Sequence, residues 1–444
     1  MSGKTRYIAF SVLFSIIAST SVMLSTAGAV QASSSSLTST ISGGANPEFI
    51  WEKTFGGMGD DRAFHIAAVA DGYLIVGSST SQTRNLTAAW VLKLTDRGEV
   101  VWNRTYLESA GSEFRYAMSL DDGFLLVGNV FHPSGDQDGF AVKIAEDGTP
   151  LWKVALGGAE VDKLFSASRT NDGGLIFAGL TNSFGAGNSD VWAVKVDAKG
   201  TPTWNKTYGG ELDEAGRGIA SSGDDLFVIG GYTNSIGNGD YDFLVLEIDE
   251  SGKLLWNRTY GGLGSDKAYA VTASDGVYAI AGDTQSQGAG NSDAWVIKVD
   301  SNGKLVWQKT LGGEDFDSVA CITATKNGSF LVGGFTLSFG NGMRDMWLSK
   351  IDSDGSVHWS FTLGRKGYEE AYGVVEAEGQ EVVLTGWTDF TGQGRYDYYV
   401  AALEIELTPA NSDLWLVYVV LVLGGLFLAF SAFMGRHRNG IRRN

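Results

Sequence analysis

The stretch Lys267–Gly313, KAYAVTASDGVYAIAGDTQSQGAGNSDAWVIKVDSNGKLVWQKTLGG, decides the fold of this 444-residue chain. It holds four short apolar runs: KAYAVTAS, GVYAIAGD, AWVIKVD and KLVWQKT. Within them apolar residues alternate with polar ones or with glycine, the period of a half-buried strand, and no helical period interrupts them. Asp275-Gly276 joins the first run to the second, and Asp300-Ser301-Asn302-Gly303 joins the third to the fourth. Glycine there supplies the positive φ of a tight hairpin. The stretch therefore reads as four antiparallel strands with one longer connection in the middle.

Outward from it, the tryptophan recurs as WEKTFGG at Trp51, WNRTY at Trp102, WKVALGG at Trp152, WNKTYGG at Trp204, WNRTYGG at Trp256, WQKTLGG at Trp307 and WSFTLGR at Trp359. The spacings are 51, 50, 52, 52, 51 and 52 residues. Four-stranded units repeated at this period predict a radial array of blades, a β-propeller. After Trp359 only three more strands follow, near Ala371–Val375, Glu381–Thr388 and Tyr398–Glu406. The missing fourth stands at the other end, as Phe49–Phe55, and its pairing into the last blade would close the ring without a bare edge. The predicted class is all-β: a seven-bladed β-propeller over residues 49–406, plus one C-terminal transmembrane helix.

The chain ends carry the address. Lys4 and Arg6 precede an apolar run from Tyr7 to Val30, and Val30-Gln31-Ala32 offers small residues where a signal peptidase reads, so residues 1–32 are read as a signal peptide. The Ser/Thr-rich residues 33–48 are read as a spacer and 407–413 as a short tether. Leu414–Met434 is 21 residues without a charge, enough to cross a hydrocarbon core of about 30 Å. A basic tail, 435–444, follows, and the positive-inside rule places it in the cytoplasm with the propeller outside the cell membrane. All 51 acids but 27 of the 33 Lys and Arg lie between Ser33 and Asp413, a net charge of −24. That charge argues against nucleic acid or anionic lipid as partner and suits cation binding. Cys321 is the one cysteine, so packing alone must hold the fold.

The segments VDAKGTPTWNKTYGG (196–210) and VDSNGKLVWQKTLGG (299–313) resemble the strand–turn–Trp repeat of PQQ-like, quinoprotein-type propellers. The likeness spans nearly the whole propeller and extends to Gly-rich blades of prokaryotic surface proteins. It is a likeness of blades: the period differs from that of the eight-bladed quinoprotein dehydrogenases, and no vicinal cysteine pair or haem-attachment motif is present. The resemblance thus implies the fold in a non-catalytic variant that requires no cofactor.

Two acidic rings are expected on the long-loop face. Ten residues after each Trp come Asp61, Ser112, Asp162, Glu214, Asp266, Asp317 and Glu369. At the start of each third strand come Ala88, Asp138, Asp190, Asp242, Asp293, Asp345 and Asp397. An acid repeated in every blade is expected to build the blade by accepting hydrogen bonds from turn N–H groups and hydroxyls. The six acids of the first ring also have the oxygen chemistry to hold Ca²⁺. Aromatic residues on the same face would stack sugars, and Trp387, Phe390 and Tyr396 of the last blade and Phe131 with His132 of the second are the candidates. Sequons occur at Asn85, Asn103, Asn205, Asn257 and Asn327. His65, His132 and His358 lack metal-ligand spacing, Cys321 reads as a small buried hydrophobe, and no nucleophile motif is identifiable. Two functions stay open: a surface binding or scaffolding module for a glycan, an envelope component or a protein, or an extracellular carbohydrate-active or quinoprotein-like enzyme using the central channel.

Overall fold

The computed structural model describes residues 40–42, 45–83, 86–108, 110–223, 225–274, 276–377, 381–389 and 395–407. The expected signal peptide, transmembrane span and basic tail lie outside them. The described residues form seven antiparallel sheets, six of four strands and one of five. Blade 1 is typical: Asp61–Val69 lines the channel, then Gly72–Ser79, Ala88–Leu94 and Val100–Tyr106 step out to the rim. Blades 2 to 6 repeat this from Ser112, Asp162, Glu214, Asp266 and Asp317. Blade 7 takes Glu369–Glu376, Glu381–Thr388 and Asp397–Leu407 from the chain's end, and its rim strand is Ala45–Phe55. The pairing runs from Ala45 opposite Leu407 to Phe55 opposite Tyr398, which closes the ring.

Two features depart from the sequence reading. The closing strand begins at Ala45 rather than Phe49, and Thr40–Ser42 pairs with Val357–Leu363 as a fifth strand on blade 6, inside the stretch read as a spacer. The second and third strands also bury both faces instead of alternating: Ala88–Leu94 is buried at every position, because a neighbouring blade packs on each side. Rim strands such as Leu254–Tyr260 stay largely exposed, so only they keep the polar WN[RK]T pattern.

Hydrogen bonds join the blades at both ends of most seams, although Trp152 Nε1, at the seam of blades 2 and 3, is buried without a partner. At the loop end, the amide of the first residue of an inner strand donates to the preceding blade: Glu214 N to Ser189 O (2.8 Å), Asp266 N to Tyr241 O (2.7 Å), Asp317 N to Ser292 O (2.8 Å) and Asp61 N to Tyr396 O (2.9 Å) across the closure. At the hairpin end, the repeat tryptophan reaches over to the next blade's tight turn. Trp51 Nε1 donates to Asp96 O (3.0 Å), Trp102 to Glu146 O (2.9 Å), Trp204 to Glu250 O (3.1 Å), Trp256 to Ser301 O (3.1 Å) and Trp307 to Ser353 O (3.0 Å). Where the motif ends in tyrosine its hydroxyl donates to the turn glycine, Tyr106 to Gly148 O (2.7 Å) and Tyr208 to Gly252 O (2.6 Å). The turn is shaped by an aspartate: Asp300 Oδ1 accepts from the amides of Asn302 and Lys304, both at 2.9 Å. Trp359 has no hairpin to meet, since blade 7's rim strand arrives from the N-terminal side. It is only 3% exposed and stacks on Phe361 at 5.1 Å.

Gly303 (φ 74°) shows what the clasp demands, for a Cβ there would lie 2.8 Å from the Trp256 ring. Gly328 has a similar φ of 79° but open space around it. Gly303→Ala should therefore cost about 2–3 kcal/mol, strain plus clash, and Gly328→Ala about 1 kcal/mol, strain alone. Thermal unfolding of the two variants compares them directly. Equal losses would remove the clasp from the list of forces holding the blades together.

Candidate functional site

Each inner strand carries a β-bulge at its fourth residue. The register against the second strand skips Phe64, Arg115, Phe165, Arg217, Tyr269, Ala320 and Tyr372 in blades 1 to 7. The cause is a glycine in each second strand: Gly77, Gly128, Gly179, Gly231, Gly282, Gly334 and Gly386. A Cβ at any of them would fall 1.8–2.0 Å from the carbonyl oxygen two residues before the bulge. Only glycine lets that carbonyl in, and the extra residue is turned out of the ladder. All seven bulge residues line one cavity of about 460 Å³ in the channel.

The collar they form is aromatic and cationic. The Arg115 guanidinium lies 3.9 Å from the Phe64 ring centre and is bidentate to Glu113, Nε to Oε1 at 2.8 Å and Nη2 to Oε2 at 3.0 Å. Arg217 lies 3.9 Å from the Phe165 ring and 5.9 Å from that of Tyr269. Phe64 meets Tyr372 edge-on at 5.7 Å. Arg344 sits 4.1 Å from Phe335 and pairs with Glu370. Asp283 accepts from Tyr269 Oη (3.1 Å) and Ser318 Oγ (3.2 Å), and burial pushes its carboxyl up to about 6. Burial holds the His65 imidazole down at about 4, so it is neutral, and its Nδ1 accepts from the Ala117 amide at 3.3 Å. Cys321 also lines the cavity, with its thiol pushed up to about 12 by burial.

The acids of the first ring are buried at the seams and hydrogen-bonded within their own blades. Asp61 accepts from Gly57 N (2.9 Å), Ser81 Oγ (2.6 Å) and Ser79 Oγ. Asp162, Glu214, Asp266 and Asp317 repeat the pattern with Gly158, Gly210, Gly262 and Gly313 amides and with strand-end Ser or Thr hydroxyls. Glu369 accepts from Arg365 N (3.1 Å) and Thr388 Oγ1 (3.2 Å); burial first, then Asp345 and Asp389, push its carboxyl up to about 7. In the second ring Asp190, Asp242, Asp293 and Asp345 fold the Gly-rich loop before them by accepting its amides, as from Gly187 N (3.0 Å) and Asn238 N (2.7 Å). Asp138 instead meets His132 Nε2 at 2.9 Å. Among the described residues no three His, Cys, Asp or Glu gather into a metal-holding group.

The first glycine after each rim strand sits between the two rings. A Cβ on Gly56, Gly157, Gly209, Gly261, Gly312 or Gly364 would lie 1.8–2.3 Å from a second-ring carboxylate, that of Asp397, Asp138, Asp190, Asp242, Asp293 or Asp345. Between blades 1 and 2 both acids lapse, to Ala88 and Ser112, and the glycine pair lapses with them, to Leu107-Glu108. The divergence of these two blades, a clue to a site in the sequence, belongs to one seam.

The aromatic candidates split into two places with blade 1 between them. Trp387 is buried (5% exposed) against Tyr396 at 4.5 Å, and Arg62 stacks on both rings at 5.1 and 4.3 Å. Phe131 is half-buried and fills the space beside Gly111. Phe390 and Asn85 lie outside the described residues. Asn205, Asn257 and Asn327 are exposed and Asn103 half-buried. Sequence reasoning missed the collar, although its signal is present: a glycine inside the second strand of all seven repeats marks a bulge.

Fold and cavity define a closed seven-bladed β-propeller with an aromatic and cationic axial chamber. No protein-family model matches the chain, and no curated protein sequence matches it. Solved structures similar to it include the WD40 domain of Toxoplasma gondii coronin (11% identity, 86% of this chain and 90% of that one, TM-score 0.49). They also include the β-propeller domain of the Trilobed protease from Pyrococcus furiosus (11%, 81% and 98%, 0.47) and the Neurospora crassa Pan2 WD40 domain (12%, 78% and 89%, 0.47).

Glu369 makes stability depend on pH. Its carboxyl titrates near 7 in the fold against an ordinary value of 4.5, so its contribution is present below pH 4.5 and lost as pH rises through 7. Glu369→Gln removes that loss. The fall in melting temperature between pH 5 and pH 8 should be smaller in the variant by about 2 °C or more. An identical fall in both proteins would show that Glu369 titrates normally.

Proposed function

We propose that the chain is a membrane-anchored, cell-surface binding propeller whose channel cavity takes part of a glycan. The observation that carries this reading is the bulge collar: Phe64, Phe165, Tyr269 and Tyr372 alternate with Arg115, Arg217 and Ala320 around one cavity of about 460 Å³. A sugar ring presents C–H faces that stack on aromatic rings and hydroxyls that need convergent polar partners, and the cavity wall supplies both. The anchor is the uncharged segment Leu414–Met434. The last strand ends at Leu407 on the hairpin side, and the six residues to Asp413 reach at most about 20 Å. The hairpin face would then lie near the bilayer and the loop face would point outward.

The enzymatic reading has one feature in its favour, the raised carboxyl of Asp283 in the cavity wall, a property of general acids. A glycosidase needs a second carboxylate, and the other acid of that wall, Glu370, is committed to Arg344.

A glycan array probed with the purified full chain tests the binding reading. Positive hits should weaken at least about tenfold in the double variant Phe165→Ala/Tyr269→Ala, while its melting stays cooperative. Undiminished binding by that variant would move the site out of the channel. Turnover of a bound glycan that Asp283→Asn abolishes would favour the enzyme instead.

A further inference from the structure

We infer that the cavity captures its glycan by a carboxylate, with Arg217 as the seat, so that the ligand is an acidic saccharide bearing a hexuronate. This rests on the glycan reading above and narrows it. Three arginines line the cavity. Arg115 fills its fork with both oxygens of Glu113, two residues earlier on the same strand. Arg344 is paired with Glu370. At the position of Glu113, the strand of Arg217 carries Ala215, which has no charge to offer.

Among the described residues no acid bonds to Arg217, and its buried Nε has no hydrogen-bond partner. The guanidinium plane is occupied by Phe165 at 3.9 Å, which leaves its hydrogen-bonding edge for a ligand. With Nε buried, it is the terminal Nη1–Nη2 edge that can meet the two oxygens of a carboxylate. The surroundings add to the case. Lys163, half-buried on blade 3, has its pKa lowered by burial, raised by Glu113 and lowered by Arg115 and Arg217, so the charges of blades 2 to 4 act on one another. Glu113 is the acid set among them. Asp283 and Glu370 stand on blades 5 and 7, with Arg344 paired to Glu370 between them, so the unpaired positive charge lies on the side of blades 3 and 4. A desolvated cation without a partner destabilises a fold, and a ligand carboxylate would offset that cost. It stands, moreover, in a chain of net charge −18.

The test is titration of the full chain with glucuronate, galacturonate and mannuronate and with the matching neutral hexoses, by calorimetry at fixed ionic strength. At least one uronate should bind about tenfold more tightly than its hexose. Arg217→Gln should erase that preference to within about twofold, and Arg217→Lys should keep part of it. Removing an uncompensated cation should not lower the melting temperature, so Arg217→Gln remains a folded control. Equal affinity for acid and neutral sugars in the parent, or a preference that survives Arg217→Gln, would overturn the carboxylate seat while leaving the glycan reading intact. Absence of binding by all six sugars would overturn the glycan reading itself.

Discussion

In every blade a peptide carbonyl of the inner strand occupies the place where the second strand would carry a Cβ. That approach is possible only at glycine, and it recurs from Gly77 to Gly386. It forces the bulge, and the bulge aims one residue per blade into the channel. The architecture of the chamber is therefore fixed by backbone packing common to all blades, while its chemistry is free to vary. The variation is visible: Phe, Arg, Phe, Arg, Tyr, Ala and Tyr occupy equivalent positions. A scaffold that repeats and a collar that does not is the arrangement expected where one surface is given over to recognition.

The remaining repetition is structural in the same concrete sense. The tryptophan clasp and the turn glycine beneath it hold the hairpin end of a seam; the paired carboxylates and the glycine between them hold the loop end. Their coupling explains why Ala88, Ser112 and Leu107 depart together from the pattern of the other seams. The six first-ring acids, out of 51 in the chain, are hydrogen-bonded to amides and hydroxyls inside the blades, so part of the acidity of the chain is building material.

Blade number and closure were legible because they rest on features each repeat must carry, Trp over Gly, and on a simple deficit of one strand at the C-terminal end. The start of the closing strand at Ala45 was not, since Ala-Asn-Pro-Glu pairs by backbone and bears no apolar alternation. The edge strand Thr40–Ser42 had an overlooked sign on its partner. Where the rim strands of blades 1, 3 and 4 read Asn-Arg-Thr or Asn-Lys-Thr and are largely exposed, the equivalent Ser360, Phe361 and Thr362 are buried. The candidate site was hidden for a physical reason as well. A bulge shifts the face of a strand by one residue, so a period-two reading assigns Arg115 and Arg217 to the wrong side. The loop aromatics drew attention by type, yet Trp387 spends its ring on Tyr396 and Arg62.

The chemistry of the chamber follows from what each charge already holds. Arg115 is neutralised by Glu113 on its own strand and Arg344 by Glu370 of the next blade, whereas Arg217 faces Phe165 with no acid paired to it among the described residues. The most direct measurement is a crystal structure of the full chain with a hexuronate bound. The carboxylate is expected on the terminal Nη edge of Arg217, with the sugar ring against Phe165 or Tyr269. Density for the sugar on the outer rim or beside Tyr396, with the channel holding only solvent, would contradict it.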